Sequence, residues 1–457
     1  MSRSNGLARP ARPVRPGVGR GASDAPPGAR RAALPLAVLL AALSCGPPAP
    51  PKPNIVVIVI DTLRRDHLPF YGYERETAPF LSGLAAAGAV FERVHSTSSW
   101  TAPATASLFT SLYPVQHGVR EGFHAAQARG GGGGRFRLDA LPEEIETLGE
   151  AMKRAGYETF AITDNINISP LAGFHQGFDR FWYTNDAGSR RVNATLREQA
   201  ERIGSASPYF LYLHYMDPHR PYQRVAPWYE AEPDSLADEI AAYDSEIRAV
   251  DAAIEEAFRL FGWERGTILV VTADHGEEFF EHGGWDHGRT LFSEVLDLPL
   301  LIYSGEGGAA PRRFAERVSI LDILPTLRSA AGAPPVAGDR GIDLLSAVRE
   351  GAPPPSDRVF LADLRRPPWF GGETLKARIG AGLKFVWTLP EEGSLFDLAA
   401  DPGETSDIGA ARRAEAAEAR AAIRAAEEAL AVHEPARAEV DLEREQVDKL
   451  RALGYIQ

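Results

Sequence analysis

NIVVIVID, residues 54–61, is an asparagine, six β-branched apolar residues and an aspartate. Strict alternation would mark a strand with one wet face. A continuous run marks a strand covered on both faces, the kind that fills a parallel sheet. The same texture returns in YETFAIT (157–163), PYFLYLHY (208–215), TILVVT (267–272) and LPLLIY (298–303). Between them lie helical patterns such as PEEIETLGEAMKRAG (142–156), with acids early, bases late and a terminal glycine, as the helix dipole favours. Strand–helix alternation predicts an α/β fold: a large, mixed, mostly parallel sheet covered by helices on both faces.

Beyond about Gly332 the texture changes. Proline-rich joints separate RVFLADL, LKARIGAGLKFVWTL and GSLFDLAADPGE, which read as short antiparallel strands, and a long Ala/Glu/Arg helix follows over roughly 410–433. The expected organisation is a catalytic domain over 53–332 and a smaller C-terminal α+β subdomain over 333–457. The stretch ARGGGGGRFR (128–137) has no packing capacity and reads as a loop.

Residues 1–52 read differently. A basic, proline-rich start ends at Arg30 and Arg31, followed by the apolar run AALPLAVLLAALSC and then GPPAPPKP. A charged region, a short apolar region and a small residue before the cut form a secretory signal. The run is too short to span a bilayer comfortably. Cys45, the single cysteine, stands where a bacterial lipoprotein signal is lipidated, and the prolines after it form a stiff tether. The expected location is outside the cytoplasm, periplasmic or cell-surface, with a lipid anchor on the membrane; an ordinary signal with an incidental cysteine is the alternative. One cysteine allows no disulfide within the chain. A formal charge of −13 argues against a nucleic-acid partner, whose phosphates reward basic patches.

Ligands of an open α/β sheet bind beyond the carboxyl ends of its strands, so the residues following each strand matter most. Asp61 follows the first run. Asp217 and His219 follow PYFLYLHY, and Asp274 and His275 follow TILVVT, with His282 and His287 shortly after. Any one of these has a plain reading: a helix cap, a turn, a surface histidine. Together they bring so many acids to one end of a buried sheet that a balancing cation is the simplest resolution.

Thr101 opens TAPATASLFTSL, with Pro103 suited to the first turn of a helix. Two roles are open for it. Threonine is a good helix cap. A hydroxyl at a helix N-terminus beside a metal is also a nucleophile in waiting, because the metal lowers its pKa and the helix end favours an anionic substrate.

The ordered segments PNIVVIVIDTLRRDHLPFYGY, TAPATASLFTSLYPVQHGV, YMDPHRPY, TADHGEEFFEHGGWDHGRTLFSEVLDLPLLIY and SLFDLAADPGET resemble the sulfatase family, within the alkaline-phosphatase superfamily. The resemblance runs from Pro53 nearly to the C-terminus. It implies Asp61, Asp274 and His275 as ligands of a divalent metal (calcium, zinc or manganese) and places Thr101 at the catalytic position, on the metal. Family members with sulfatase activity carry Cys or Ser there, in Cys/Ser-x-Pro-x-Arg, and oxidise it to formylglycine. Here the motif reads Thr101-Ala102-Pro103-Ala104-Thr105, and Thr62 stands where a second metal-binding aspartate is expected. A threonine cannot give that aldehyde. Where many sulfatases have a substrate-gripping lysine, this chain has Trp285-Asp286-His287. Either a second metal held by Asp217, His219 and His287 restores the lost positive charge, or His219 and His287 meet the substrate directly. The expected function is hydrolysis of a small anionic or glycan- or lipid-linked ester of sulfate, phosphate or phosphonate, with Thr101 as nucleophile and His219 and His287 assisting. The alternatives are a transferase of phosphoryl head groups and a binder that has lost its chemistry.

Overall fold

The computed structural model describes residues 51–121, 136–185, 187–305, 311–366, 371–390, 392–431 and 438–442. Cys45, the signal and most of its tether, most of the glycine-rich stretch and the C-terminal tail lie outside them. No helix among the described residues is long and apolar enough to cross a membrane.

The NIVVIVI run forms β1 (Asn54–Ile60), and its six apolar residues are all buried. At roughly 1.5–3 kcal/mol for each such side chain, this strand alone anchors much of the core. Seven more strands join it: β2 (Ala89–His95), β3 (Glu158–Thr163), β4 (Arg180–Tyr183), β5 (Tyr209–Tyr215), β6 (Thr267–Ala273), β7 (Asp297–Ser304) and β8 (Arg312–Ser319). Their order across the sheet is β8-β2-β7-β6-β1-β5-β3-β4. β1 runs parallel to both neighbours, in register Val57↔Tyr212 and Val57↔Val270. Only β7 is antiparallel to the strands beside it, so the sheet is mixed and mostly parallel, as expected. β2 and β8 carry arginines and glutamate among their apolar residues and give no continuous apolar run, which hides them from a reading based on buried strands.

Helices cover both faces. α1 (Thr101–Thr110) packs on one, with Phe109 edge-on to Tyr212 at 4.9 Å. α2 (Leu148–Arg154) is shorter than the pattern over 142–156 predicts. It starts at Thr147, whose side chain and Glu150 form a reciprocal capping box, so the acids before it stay outside the helix. On the other face α3 (Ser189–Ser205) receives Tyr215, whose hydroxyl donates to Asn193 Oδ1 at 2.9 Å. The long α4 (Ser235–Phe261) lies alongside α3, capped by the Asp234 carboxylate.

The C-terminal strands are β9 (Phe360–Arg365), β10 (Thr374–Gly380), β11 (Leu383–Thr388) and β12 (Glu392–Asp397), an antiparallel sheet in simple sequence order. α5 (Arg413–Ala431) packs on it through Ala419 and Ile423. The change of texture near Gly332 is not a packing boundary: Leu344, Leu345, Ala347 and Val348 still belong to the main core. Lys384, fully buried on β11, pairs with Glu404 at 2.8 Å, and Glu404 accepts from the Ser293 backbone N–H at 2.6 Å. That buried pair ties the small sheet to the segment just after His287, so the second sheet braces the site.

Candidate active site

Asp61, Asp274 and His275 meet where β1 and β6 end, all fully buried. Asp61 extends the ladder by one residue, its N–H donating to Tyr215 O at 2.9 Å. Its Oδ2 accepts from Asn165 Nδ2 at 2.7 Å. Among the described residues its Oδ1 has no hydrogen-bond partner, and neither has Asp274 Oδ2. His275 Nδ1 faces the Gly276 carbonyl at 2.9 Å. A carbonyl accepts only, so Nδ1 carries the proton and Nε2 presents a lone pair. That Nε2 lies 3.6 Å from Asp61 Oδ1 and 3.5 Å from Asp274 Oδ2. Two orphaned carboxylate oxygens and an imidazole lone pair converging in a dry place fit a divalent cation. Burial and the facing Asp274 push the Asp61 pKa well up, the cost of facing carboxylates without one.

The backbone around the group is held against its preferences. Thr62 adopts φ 55°, rare for a β-branched residue, and is fixed by Tyr243, which donates to its carbonyl at 2.8 Å. Gly276 admits a close crossing: a Cβ there would fall 2.0 Å from Glu294 O.

Thr101 is the first residue of α1 and is 3% exposed. The cap position belongs to Trp100, with extended backbone (φ −143°, ψ 136°), and no side chain caps the helix. Of its two roles, capping is thus not the one Thr101 fills here. Its Oγ1 lies 3.2 Å from His275 Nε2, within the cation group. Thr105, one turn further in, is fully buried and its Oγ1 has no partner among the described residues.

His219 and His287 stand beside this group. Their ring centroids are 5.0 Å apart, and His287 lies 4.4 Å from His275. Gly288, at φ 70°, lets the loop press on Trp100; a Cβ there would fall 2.1 Å from the indole. His287 Nδ1 is flanked by Asp286 Oδ1 at 2.9 Å and Glu277 Oε1 at 3.0 Å. Burial opposes its charge, but those two carboxylates hold its pKa well above the ordinary range. Those carboxylates favour its cationic form where the expected lysine is missing. His219 is pushed the other way, down to about 3, by burial and by His287.

Asp217 does not join them. Its carboxylate turns to the start of α3, where Oδ2 accepts from Ser189 N–H at 2.6 Å. The expected set of Asp217, His219 and His287 is therefore only two-thirds gathered; Glu277 and Asp286 take the place beside His287. The reason is local: the N–H groups of a helix end solvate a carboxylate better than a distant histidine can.

Asp217 instead burdens another buried acid. Glu246, on α4 and 2% exposed, has its pKa pushed up to about 9 by burial and then by Asp217. Between its ordinary 4.5 and about 9 the folded protein holds a proton the unfolded chain has lost. This contribution is full below pH 4.5 and lost as pH rises through 9. Glu246→Gln keeps the shape without the titration, so wild-type Tm should fall relative to the variant's from pH 5 to 9. Parallel Tm curves would refute that assignment.

His282 leaves the site. Its Nδ1 pairs with Glu294 at 2.7 Å, and Nε2 meets the Gly403 carbonyl at 3.1 Å, bracing the C-terminal sheet. Two further residues belong to the site. Asn165 follows β3 and lies within reach of a reading by strand ends. Glu277 follows His275 by two residues and is fully buried, with Tyr222 donating to its Oε2 at 2.7 Å; nothing in its spacing marks it as His287's partner.

Fold and site define an ester hydrolase of the alkaline-phosphatase type. Residues 53–333 match the Sulfatase family, and the chain belongs to that family, whose members depend on a divalent metal and hydrolyse sulfuric esters. It is 28% identical to arylsulfatase A of Homo sapiens over 358 residues, 65% of this chain and 67% of that protein. It is 25% identical to the Ulvan-active sulfatase of Formosa agariphila, over 79% of this chain and 77% of that one. The fold is similar to that of the phosphonate monoester hydrolase of Agrobacterium radiobacter: TM-score 0.67, 19% identity, 82% of this chain and 96% of the other.

Proposed function

We propose that this chain is an exported, metal-dependent hydrolase of sulfate or phosphate and phosphonate esters, with Thr101 in place of formylglycine as the nucleophile. One observation carries the reading. Thr101 Oγ1 caps nothing and lies 3.2 Å from His275 Nε2, among the orphaned oxygens of Asp61 and Asp274. Asp61, Asp274 and His275 would hold the ion. Two carboxylates and an imidazole favour manganese or zinc over calcium, which prefers oxygen-only shells. The ion supplies charge neutralisation at the ester oxygens and acidifies the hydroxyl beside it.

The chain's own residues do the rest. Thr101 gives up its hydroxyl proton to solvent, and its Oγ1 forms a bond to phosphorus or sulfur as the bond to the leaving oxygen breaks. His287, an imidazolium by virtue of Asp286 and Glu277, binds the anionic ester and gives its Nε2 proton to that oxygen. Water then cleaves the threonine ester, returning a proton to Thr101 Oγ1, and releases sulfate or phosphate from a monoester, or a phosphate monoester or phosphonate from the other substrates. His287 regains its proton from solvent. His219, neutral, lines the same wall. The site leans toward phosphorus esters, because a threonine ester has no second hydroxyl with which to expel sulfate and must be cleaved by water at the central atom; His287, with an ion that Asp61, Asp274 and His275 would hold, would balance the charge of a monoanionic diester or phosphonate monoester. Export through the signal region, with lipidation at Cys45, is part of the same proposal and rests on the sequence pattern.

The test is a panel of aryl sulfate, phosphate monoester, phosphodiester and phosphonate monoester, each with calcium, zinc or manganese. Phosphorus-ester turnover with manganese or zinc is the expected result. Turnover of sulfate alone would overturn the phosphorus preference, and release that requires an added acceptor would make the protein a transferase.

A further inference from the structure

β5 is a strand of large apolar side chains except at one place. His214 is fully buried, and neither ring nitrogen has a hydrogen-bond partner among the described residues. Leaving a buried polar group unpaired costs about 1–3 kcal/mol. A leucine there would pack without that cost, so a histidine at this point needs a reason.

Its surroundings supply one. Residues 212 and 214 share a face of β5, opposite to Tyr215, which points to α3. That face is covered by α1, since Phe109 packs on the Tyr212 ring. Thr101, Thr105 and Phe109 recur every fourth residue and line the same side of α1. Thr105 Oγ1 and the Tyr212 hydroxyl are also buried and without partners among the described residues. A strip of polar groups thus runs beneath the helix, and its end nearest the site is His214 Nε2, 3.6 Å from Asp61 Oδ2. That oxygen accepts one hydrogen bond, from Asn165, and has capacity for a second. Asp61 Oδ1 is the oxygen turned to His275.

We propose that His214 is a positioning residue for the cation site: its Nε2–H engages Asp61 Oδ2 and, with Asn165, fixes the carboxylate so that Oδ1 faces Asp274 and His275. A carboxylate held by one donor can rotate about its Cβ–Cγ bond and exchange its oxygens. With His214 on β5 closing the 3.6 Å to the oxygen that Asn165 already holds from the loop after β3, it would present the other oxygen permanently. Groups that orient a ligating carboxylate typically matter about 10–100-fold in metal affinity. The inference rests on the reading of Asp61, Asp274 and His275 as the cation site.

The experiment is Mn²⁺ affinity by electron paramagnetic resonance on the full chain, for wild type, His214→Leu and His214→Gln, with Tm recorded in chelator. His214→Leu should bind Mn²⁺ about 10–100-fold more weakly with no loss of Tm in chelator. His214→Gln, which can still donate, should recover most of the affinity. Wild-type affinity in the leucine variant, or glutamine as weak as leucine, would overturn the role of His214 while leaving the cation site standing. No Mn²⁺ binding by wild type would overturn both. Should the leucine variant fail to fold, ¹⁵N–¹H spectra of the wild-type imidazoles decide. A proton on Nε2 of His214 is expected; a proton on Nδ1 alone refutes the proposal.

Discussion

Thr101→Ala should lower kcat/KM by about 10³-fold or more, the scale on which removing a nucleophile acts, while Tm stays within about 0.5 kcal/mol equivalent of wild type. The second half of that expectation separates the two roles a threonine can have here. A lost cap costs about 0.5–2 kcal/mol. Trp100, not Thr101, holds the cap position, and no side chain bonds to the helix end; alanine is the best helix former for the first turn. Among the described residues the hydroxyl meets His275 Nε2, so its removal touches the site and little else. Thr101→Ser keeps the hydroxyl and should keep most of the turnover. Cysteine at the same position should not recover sulfatase chemistry by oxidation, because Thr105 stands where the motif arginine belongs. Unchanged turnover in the alanine variant, measured on whichever ester the panel selects, sinks the nucleophile.

Asp274→Asn should abolish both turnover and metal-dependent stabilisation, yet leave the chelated protein as stable as wild type or more so. Asp61 and Asp274 face each other in a dry site, and Asp274 raises the cost of ionising Asp61. An ion removes that cost; an amide does so as well, without the ion. Wild type should gain about 2.7 kcal/mol when free metal reaches a hundred times its dissociation constant, read as a rise in Tm. The variant should gain nothing. Asp274 Oδ1 accepts from the His275 N–H at 2.9 Å, a bond the asparagine oxygen keeps, so a variant that loses stability in chelator would mean that Oδ2 is held within the protein rather than kept for a cation, and the reading of the site would fail.

Much of this is legible in the residues alone. The apolar runs ending in Asp61 and Asp274 announce the strands, because a strand buried on both faces has few ways to be written. The residue after such a strand must lie at the sheet's ligand-binding edge. The same rule, carried one strand further, reaches Asn165. It cannot reach the direction in which a side chain turns once there. Asp217 sits at the right edge and points into the helix end at Ser189. His282 lies in the same loop as His287 and reaches away to the C-terminal sheet.

The sequence by itself therefore determined the class of fold, the edge at which chemistry happens, the family, and the departures at Thr62, Thr101 and Thr105 that set this chain apart within it. Tertiary structure decided the rest. It showed that Thr101 Oγ1 faces His275 instead of capping α1, that Asp286 and Glu277 flank His287, and that His214 lies 3.6 Å from Asp61. Strand identity is written in local periodicity, which a sequence displays directly. The partner of a buried polar atom is chosen by competition among donors brought together from distant parts of the chain, as Asn165 is to Asp61 across 104 residues, and only the packed structure settles that competition.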